Sequence, residues 1–558
     1  MYPTNKQYPN LRILTLTDEA DVKRLLLLLS GECFQDGLIK LENDSYLDRQ
    51  KPKLRLPASL IADLILPRNI RSLGVQSVII ESDYVDRDSN VAYAWLYARA
   101  FRDYPRRTVR LHFFRKQLTS YDELLNEEDL QKFYVGYCVL SPILPGNIWR
   151  TVLPPPKSDS SRFFVPAQSK FSVNLSGAQL CAMGTAFIQQ DGRVAACASA
   201  AAWMSTIILA KQSGFDMSIH SLGEITQLAT KYSLPPFGSG AQPGLTVQQF
   251  LWALHEMSYE PLYHEIWDPE VATEIIYNYV ESGIPPILII FLPGPGGFHA
   301  VTAVGHTYDP FANTTMQINR GIRSASAWCP FFLIHDDQIG PYIELRIGPV
   351  KPQSKGKPSI EVDITDSLLS QSREKITKWY SDAFLWGIIA PLPPRHVLRP
   401  QEAAQKGKEI LMRAYSFHDS LLGKLDKRMP TIPIYRTYFV ASNKFRRHFT
   451  IGKVRDLSPE LAHWYRGSIY PRFVWVIELC ALEDRALKQP EDLRIIADVT
   501  IDPTSSPYSL DFVTLHLPHL FFRMPPGVTT INSVLYNPVA FILDDEPYQP
   551  FLLGLESA

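Results

Sequence analysis

Gln189-Gln190-Asp191-Gly192-Arg193-Val194-Ala195-Ala196-Cys197 runs straight into Ala198-Ser199-Ala200-Ala201-Ala202-Trp203-Met204-Ser205-Thr206-Ile207-Ile208-Leu209-Ala210. The second segment is rich in alanine and apolar around most of its circumference, which predicts a buried helix. Cys197 falls in its first turn. There the unpaired backbone N–H groups and the positive end of the helix dipole favour a thiolate over a thiol. Polar residues precede it, so the position suits a cysteine nucleophile. A free cysteine is more often a small buried hydrophobe, and the residues downstream decide between the two readings.

A helix is expected from Pro269 to about Ser282, closed by Gly283. Pro286-Ile287-Leu288-Ile289-Ile290-Phe291-Leu292 reads as a buried strand. The turn Pro293-Gly294-Pro295-Gly296-Gly297 follows, and a second strand starts at Phe298-His299-Ala300. His299 thus opens a strand directly after a sharp turn, held by rigid backbone as a general base must be. A third run, Pro330-Phe331-Phe332-Leu333-Ile334, ends in His335-Asp336-Asp337. A carboxylate there can orient an imidazole and fix its tautomer.

This order of Gln and Cys at a helix start, His at a strand start and Asp at a later strand end resembles the papain-like cysteine peptidase superfamily. The closest branch is the bacterial C39-like one, whose Gly-x-His-Ala-x-x-x-x-Gly flavour is visible in Gly297 to Gly305. The resemblance covers the middle third, about Ser172 to Gly348. It implies a papain-like core in which a helical part carries the cysteine and an antiparallel sheet carries His and Asp. It also implies that Cys197 is the nucleophile, His299 the general base and Asp336 the orienting acid, with Asp337 and then Asp309 as alternatives. Gln190, or else Gln189, would donate to the oxyanion alongside the backbone N–H of the cysteine. The chain departs from the family pattern in three places. The glutamine lies farther from the cysteine than usual, Ala198 follows the cysteine where Gly or Trp is common, and the gap between His299 and Asp336 requires a hairpin or loop inserted around Thr307 to Ala327.

Between nucleophile and base, Ser221-Leu222-Gly223-Glu224 and Thr246-Val247-Gln248-Gln249 are capping boxes that each open a helix. At 558 residues the chain should hold several domains. A Pro/Ser cluster at 154–161 and a Lys/Pro/Ser/Gly cluster at 349–358 are the best linkers. The expected organisation is α+β and multidomain: a mixed α/β domain over 1–165, the papain-like core over 172–348, and an α+β domain over 363–558. In the first, strands are expected at Ser77–Glu81, Thr108–Phe114 and Phe133–Leu140, and helices over Ala92–Phe101 and from Ser120. In the last, a helix is expected over Gln401–Tyr415.

Net charge is −1, so nothing global draws the chain to nucleic acid. The arginines around Arg102 to Arg115 are expected on a solvated face. The six cysteines contain no CxxC pair, which argues for a reducing compartment and against a disulfide framework or structural zinc. No signal-peptide core and no apolar helix of about 20 residues is apparent, so a cytoplasmic protein is expected, with no membrane partner. His299 and His306 fall on opposite faces of a regular strand, and alternation separates His335, Asp336 and Asp337. HExxH, GxxxxGK[ST] and GxSxG are absent, so neither metal nor cofactor is expected. A cysteine peptidase acting on a protein or peptide substrate is the leading reading. Transglutaminase-like acyl transfer with the same triad, or an inactive papain-like scaffold, are the alternatives. The flanking regions would select substrate or bind a regulatory protein partner.

Overall fold

The computed structural model describes residues 10–16, 21, 25, 29, 66–95, 97–99, 101, 103–141, 146–156, 163–190, 197–212, 217–231, 244–294, 297–309, 323–363, 370–395, 398–422, 434–450, 454–482, 490–525, 528 and 531–552. Among the described residues the fold is mixed α and β and is built on three sheets. Up to Phe187 the strands are β1 (Leu11–Thr15), β2 (Ser77–Tyr84), β3 (Thr108–Phe114), β4 (Tyr134–Leu140), β5 (Ile148–Leu153), β6 (Phe163–Phe164), β7 (Ser169–Leu175) and β8 (Ala178–Phe187). All but β6 form the first sheet, in the order β1-β2-β3-β4-β5-β8-β7. Its central strands β3 and β4 are buried along their whole length, whereas edge strand β7 alternates between buried and exposed positions. That alternation marks a strand with one face in water.

The second sheet contains β9 (Glu260–Glu265), β10 (Ile287–Leu292), β11 (Gly297–Thr307), β13 (Phe332–Asp336), β14 (Gly340–Val350), β15 (Pro358–Asp363) and β16 (Phe384–Leu392); β12 (Arg323–Ser324) belongs elsewhere. Strands β10, β11, β13, β14, β15 and β16 pair in turn, and β16 returns to β10, so the sheet closes into an antiparallel barrel. Closure removes open edges from these strands. Strand β9 adds to β16 and β6 to β11. The third sheet joins β12 to β17 (Ile434–Ala441), β18 (Phe473–Leu482), β19 (Leu493–Ile501), β20 (Thr514–Leu517), β21 (Leu520–Arg523) and β22 (Ala540–Phe541).

Strand pairing crosses both expected domain boundaries. Strand β8 lies beyond residue 165 yet pairs β5, with Thr151 opposite Phe187. Residues 349–358 connect β14 to β15 within one sheet. Lys355 and Gly356 there take φ of +54° and +79°, so the Pro, Gly and Ser that read as a linker make a turn instead. Likewise β12, inside the insertion expected around Thr307 to Ala327, pairs with β17 of the third sheet. The three sheets are therefore interleaved in sequence. Removing the chain before residue 172 would strip β8 of β5, one of its two partners, and shorten the other, β7.

Helix α1 (Arg87–Trp95) starts earlier than the expected 92–101 and gives way to a 3₁₀ turn at Tyr97–Arg99. The Ser120 capping box opens a 3₁₀ turn, Tyr121–Leu125. Arg110, expected on a solvated face, is buried; its Nε donates to Glu81 at 2.7 Å and its guanidinium lies over the Tyr84 ring. Helix α2 (Cys197–Lys211) is buried nearly all round, as its alanines require. Both expected capping boxes are formed, Ser221 with Glu224 ahead of α3 (Leu222–Thr230) and Thr246 with Gln249 ahead of α4 (Val247–Glu256). Helix α5 (Pro269–Glu281) is N-capped by Asp268. It ends where Gly283 turns left-handed at φ +65°, which lets Gly283 N and Ile284 N bond back to Val280 O and Tyr279 O. Helix α6 (Ser370–Trp379) leads into β16, and α7 (Pro400–Leu422) packs on β17, β18 and β19. Among the described residues no helix is long and apolar enough to cross a membrane.

Candidate active site

Cys197 is the first residue of α2 and is half-buried. Small residues let this helix lie directly on the barrel. Thr302 Oγ1 of β11 donates to Ala201 O at 3.1 Å, and Ser205 Oγ donates to Pro285 O at 2.6 Å, just before β10. These two bonds hold the body of the helix against the barrel, the first of them three residues along β11 from His299. Ser199 and Thr226 hydroxyls, 3.0 Å apart, tie α2 to α3 on its other side.

His299 Nε2 lies 2.9 Å from Asp336 Oδ1, and the Cys197 side chain is among the groups that raise the pKa of the ring. With Nε2 turned to the carboxylate, Nδ1 is the nitrogen left for the thiol. Strand register explains the first contact. Thr302 stands opposite His335, so Asp336 falls beside Val301 and shares a face with His299 two residues along. Burial would lower the His299 pKa. The negative charge and hydrogen bond of Asp336, helped by Cys197 and Asp337, overcome it and hold the ring well above the ordinary histidine value.

Asp336 is itself tightly held. Its Oδ1 also accepts from Gln338 N at 2.8 Å in the turn into β14, and its Oδ2 accepts from Tyr380 Oη at 2.5 Å. Burial pushes its pKa up, but the His299 charge and these three donors bring it below the usual carboxylate value. Asp336 thus stays ionised and fixed in orientation, which an orienting acid requires.

Asp337 also reaches the site, with Oδ1 3.8 Å from His299 Nε2. The turn after β13 breaks the alternation that would have turned it away. His335 does point elsewhere: its Nδ1 faces Ala186 O at 3.3 Å, and burial lowers its pKa to about 3, so it is neutral. His299, Asp336 and Asp337 offer ligand atoms within 4.8 Å of one another, a grouping able to hold a cation. Both Asp336 oxygens already accept, Oδ1 from the His299 ring and Gln338 N and Oδ2 from Tyr380 Oη.

The other expected residues fall as follows. Gln189 Oε1 accepts from Ile148 N at 2.9 Å, and Gln189 N donates to Ile148 O, so this side chain extends the pairing of β5 with β8. Gln190 is half-buried just past β8, its carbonyl accepting from Asn147 Nδ2 at 2.9 Å. Residues 191–196, which join it to Cys197, lie outside the described residues. Asp309 follows the far end of β11, roughly 30 Å along the chain from His299. It cannot orient the ring.

Tyr380 was not legible in the sequence. It lies 44 residues from Asp336, at the end of α6, and only the packing of that helix brings it in. A hydrogen bond to a charged acceptor contributes about 1.5–3 kcal/mol, of which only the part relayed through Asp336 reaches the thiol. Tyr380→Phe is therefore expected to slow iodoacetamide alkylation of Cys197 at pH 7 by roughly threefold. An unchanged rate would reduce the phenol to a packing role.

No protein-family model matches this chain, and no curated protein does either.

Proposed function

We propose that this chain is a cysteine-nucleophile hydrolase, a peptidase with a papain-like core. Cys197 Sγ gives its proton to His299 and attacks a peptide carbonyl. The S–C bond forms, the C–N bond breaks, and His299 returns the proton to the leaving amine. Water, deprotonated by the same ring, then cleaves the thioester. The observation that carries this reading is the 2.9 Å hydrogen bond between His299 and Asp336, with Cys197 close enough to raise the pKa of the ring. A thiol at a helix start against a barrel strand that carries the imidazole also supports it. The raised His299 pKa suits a ring that must hold the thiol proton during attack.

Intact-mass labelling with low-dose iodoacetamide tests it, on the wild type, Cys197→Ala and His299→Ala. Cys138, Cys329 and Cys480 are buried, and burial raises all three thiol pKa values, that of Cys138 to about 12. These should react slowly. One fast adduct is expected, lost in Cys197→Ala and slowed in His299→Ala. Labelling of Cys197 no faster than the half-buried Cys181 would sink the proposal.

A further inference from the structure

Four ionisable residues stand side by side across the third sheet. The register places Arg436 of β17 opposite Glu478 of β18, Glu478 opposite Asp498 of β19, and Asp498 opposite His516 of β20. Directly opposed residues share one face of a sheet, so the four side chains form a row, and all four are buried. Two further carboxylates close its ends: Glu281 of α5 on Arg436, and Asp545, whose Oδ2 lies 2.9 Å from His516 Nε2. A buried row of this kind is tolerable where each charge meets its opposite. At its middle it does not, because Glu478 and Asp498 are two acids in adjacent places.

The two acids are held unequally. Asp498 Oδ2 accepts from Tyr465 Oη and from Tyr548 Oη, the latter at 2.9 Å, and lies 3.5 Å from His516 Nδ1. Asp498 Oδ1 is buried and has no hydrogen-bond partner among the described residues. A buried acceptor without a donor is costly, and a proton on the carboxyl opposite would supply one. Glu478 accepts from Tyr438 Oη on Oε1 at 2.7 Å and from Arg436 Nη1 on Oε2 at 2.9 Å, while the other two nitrogens of Arg436 go to Glu281. Burial, with the Asp498 charge, outweighs Arg436 and Tyr438 and pushes the Glu478 carboxyl up to about 7. Burial would lower His516, but Asp545 and Asp498 raise it to about 10, so it stays charged. Cys480, two residues along β18, is kept a thiol by burial and by the Glu478 charge. His448, near Arg436, is lowered to about 4 by burial and by that cation, so it is neutral. We propose that Glu478 and Asp498 form a carboxyl–carboxylate pair holding one proton, carried by Glu478 and donated to Asp498 Oδ1, and that losing this proton above neutral pH loosens the third sheet. With the proton in place, Glu281, Asp498 and Asp545 face Arg436 and His516. Without it a fourth carboxylate joins them, directly beside Asp498, and no cation is added. The third sheet is thereby a pH-sensitive element that tightens on mild acidification.

Infrared difference spectra of the folded full-length protein test the proton directly. Between about pH 5.5 and pH 8.5 the wild type should lose the carbonyl stretch of a buried protonated carboxyl, and Glu478→Gln should lack that change. Asp498→Asn removes both the acceptor and the like charge, so the band should disappear at lower pH than in the wild type. Urea unfolding tests the consequence. The folded Glu478 value lies above its unfolded value near 4.5, so its contribution to stability is full below that value and is lost as pH rises through about 7. From pH 5 to pH 7 the wild-type unfolding constant should therefore rise, relative to that of Glu478→Gln, by up to about tenfold per pH unit. A wild type with no titrating carboxyl band overturns the proposal without any variant. A band that persists in Glu478→Gln assigns the proton elsewhere and overturns it too. Parallel stability profiles for wild type and Glu478→Gln would show Glu478 to be an ordinary ionised partner of Arg436. Should Glu478→Gln fail to fold, the shift of the band in Asp498→Asn decides, and an unshifted band overturns the pairing.

Discussion

Asp336→Ala is expected to lower peptide turnover by a factor of about 10²–10⁴, the range that a positioned acid–base group supplies. The substitution removes the charge that raises the His299 pKa most and the oxygen that fixes the ring. It also leaves Tyr380 Oη and Gln338 N without their acceptor. Alkylation by iodoacetamide should fall much less, by no more than about thirtyfold, because an unassisted thiol is still a few per cent thiolate at pH 7. The gap between the two losses is the informative quantity, since only turnover needs the ring to deliver a proton to the leaving amine. Asp336→Asn separates orientation from charge. It keeps an oxygen for Nε2–H, so the loss should be smaller. Its alkaline limb should shift, because leaving-group protonation fails as pH rises through the His299 pKa. In the wild type that pKa lies well above the usual value, so turnover should persist into alkaline pH. In Asp336→Asn the limb should fall to lower pH. Matching limbs in kcat/KM profiles would show that Asp336 acts by shape alone.

Local signals made much of this site legible. The alanine-rich run after Cys197, two capping boxes, and apolar runs broken by Pro and Gly located α2, α3, α4, β10, β11 and β13 within a few residues. Such signals work where propensity, periodicity and turn chemistry agree. They fail for features set by pairing between distant segments. Pro, Ser and Gly at 349–358 serve a turn as well as a linker, and only the register of β14 on β15 decides between them. The return of β16 to β10, which closes the barrel, and the reach of Tyr380 to Asp336 leave no trace in spacing. Gln189 shows the same limit in another form. Its Oε1 accepts from the backbone of Ile148, a contact between segments 41 residues apart that no local pattern announces.

The ties between the third sheet and the barrel side of the molecule carry the largest expected effect on stability. Arg436 of β17 is buried, and its Nε and Nη2 donate to Glu281 Oε2 of α5 at 2.8 and 2.5 Å. Its Nη1 donates to Glu478 Oε2 of β18 at 2.9 Å. Glu281 Oε1 takes two further partners, His306 Nε2 of β11 at 2.7 Å and Tyr308 Oη at 3.2 Å. Burial raises both glutamates, yet they end apart. Arg436 and His306 bring Glu281 down to about 2, whereas Glu478, with one arginine bond, a Tyr438 bond and the like charge of Asp498 nearby, stays up at about 7. Arg436→Met keeps the apolar stem and removes the charge, so two buried carboxyls lose their cation. Breaking a buried pair in this way costs about 3–5 kcal/mol. A urea midpoint far below the wild type is expected at pH 7.

The deficit should shrink on acidification. In the wild type the depressed Glu281 contributes stability that is present above its unfolded value near 4.5 and lost as pH falls toward 2. Without Arg436 the largest lowering cause is gone and His306 remains, so the Glu281 pKa rises and its carboxyl can be buried neutral at a higher pH than in the wild type. The two proteins should therefore converge as pH falls from 7 toward 2. His306 is seven residues from His299, about 23 Å along the strand. Below the unfolding transition, alkylation of Cys197 in Arg436→Met should consequently match the wild type. A stability gap that holds constant with pH would mean that Arg436 acts through packing. A normal melt with slowed alkylation would mean instead that the third sheet sets the position of β11 at its His299 end.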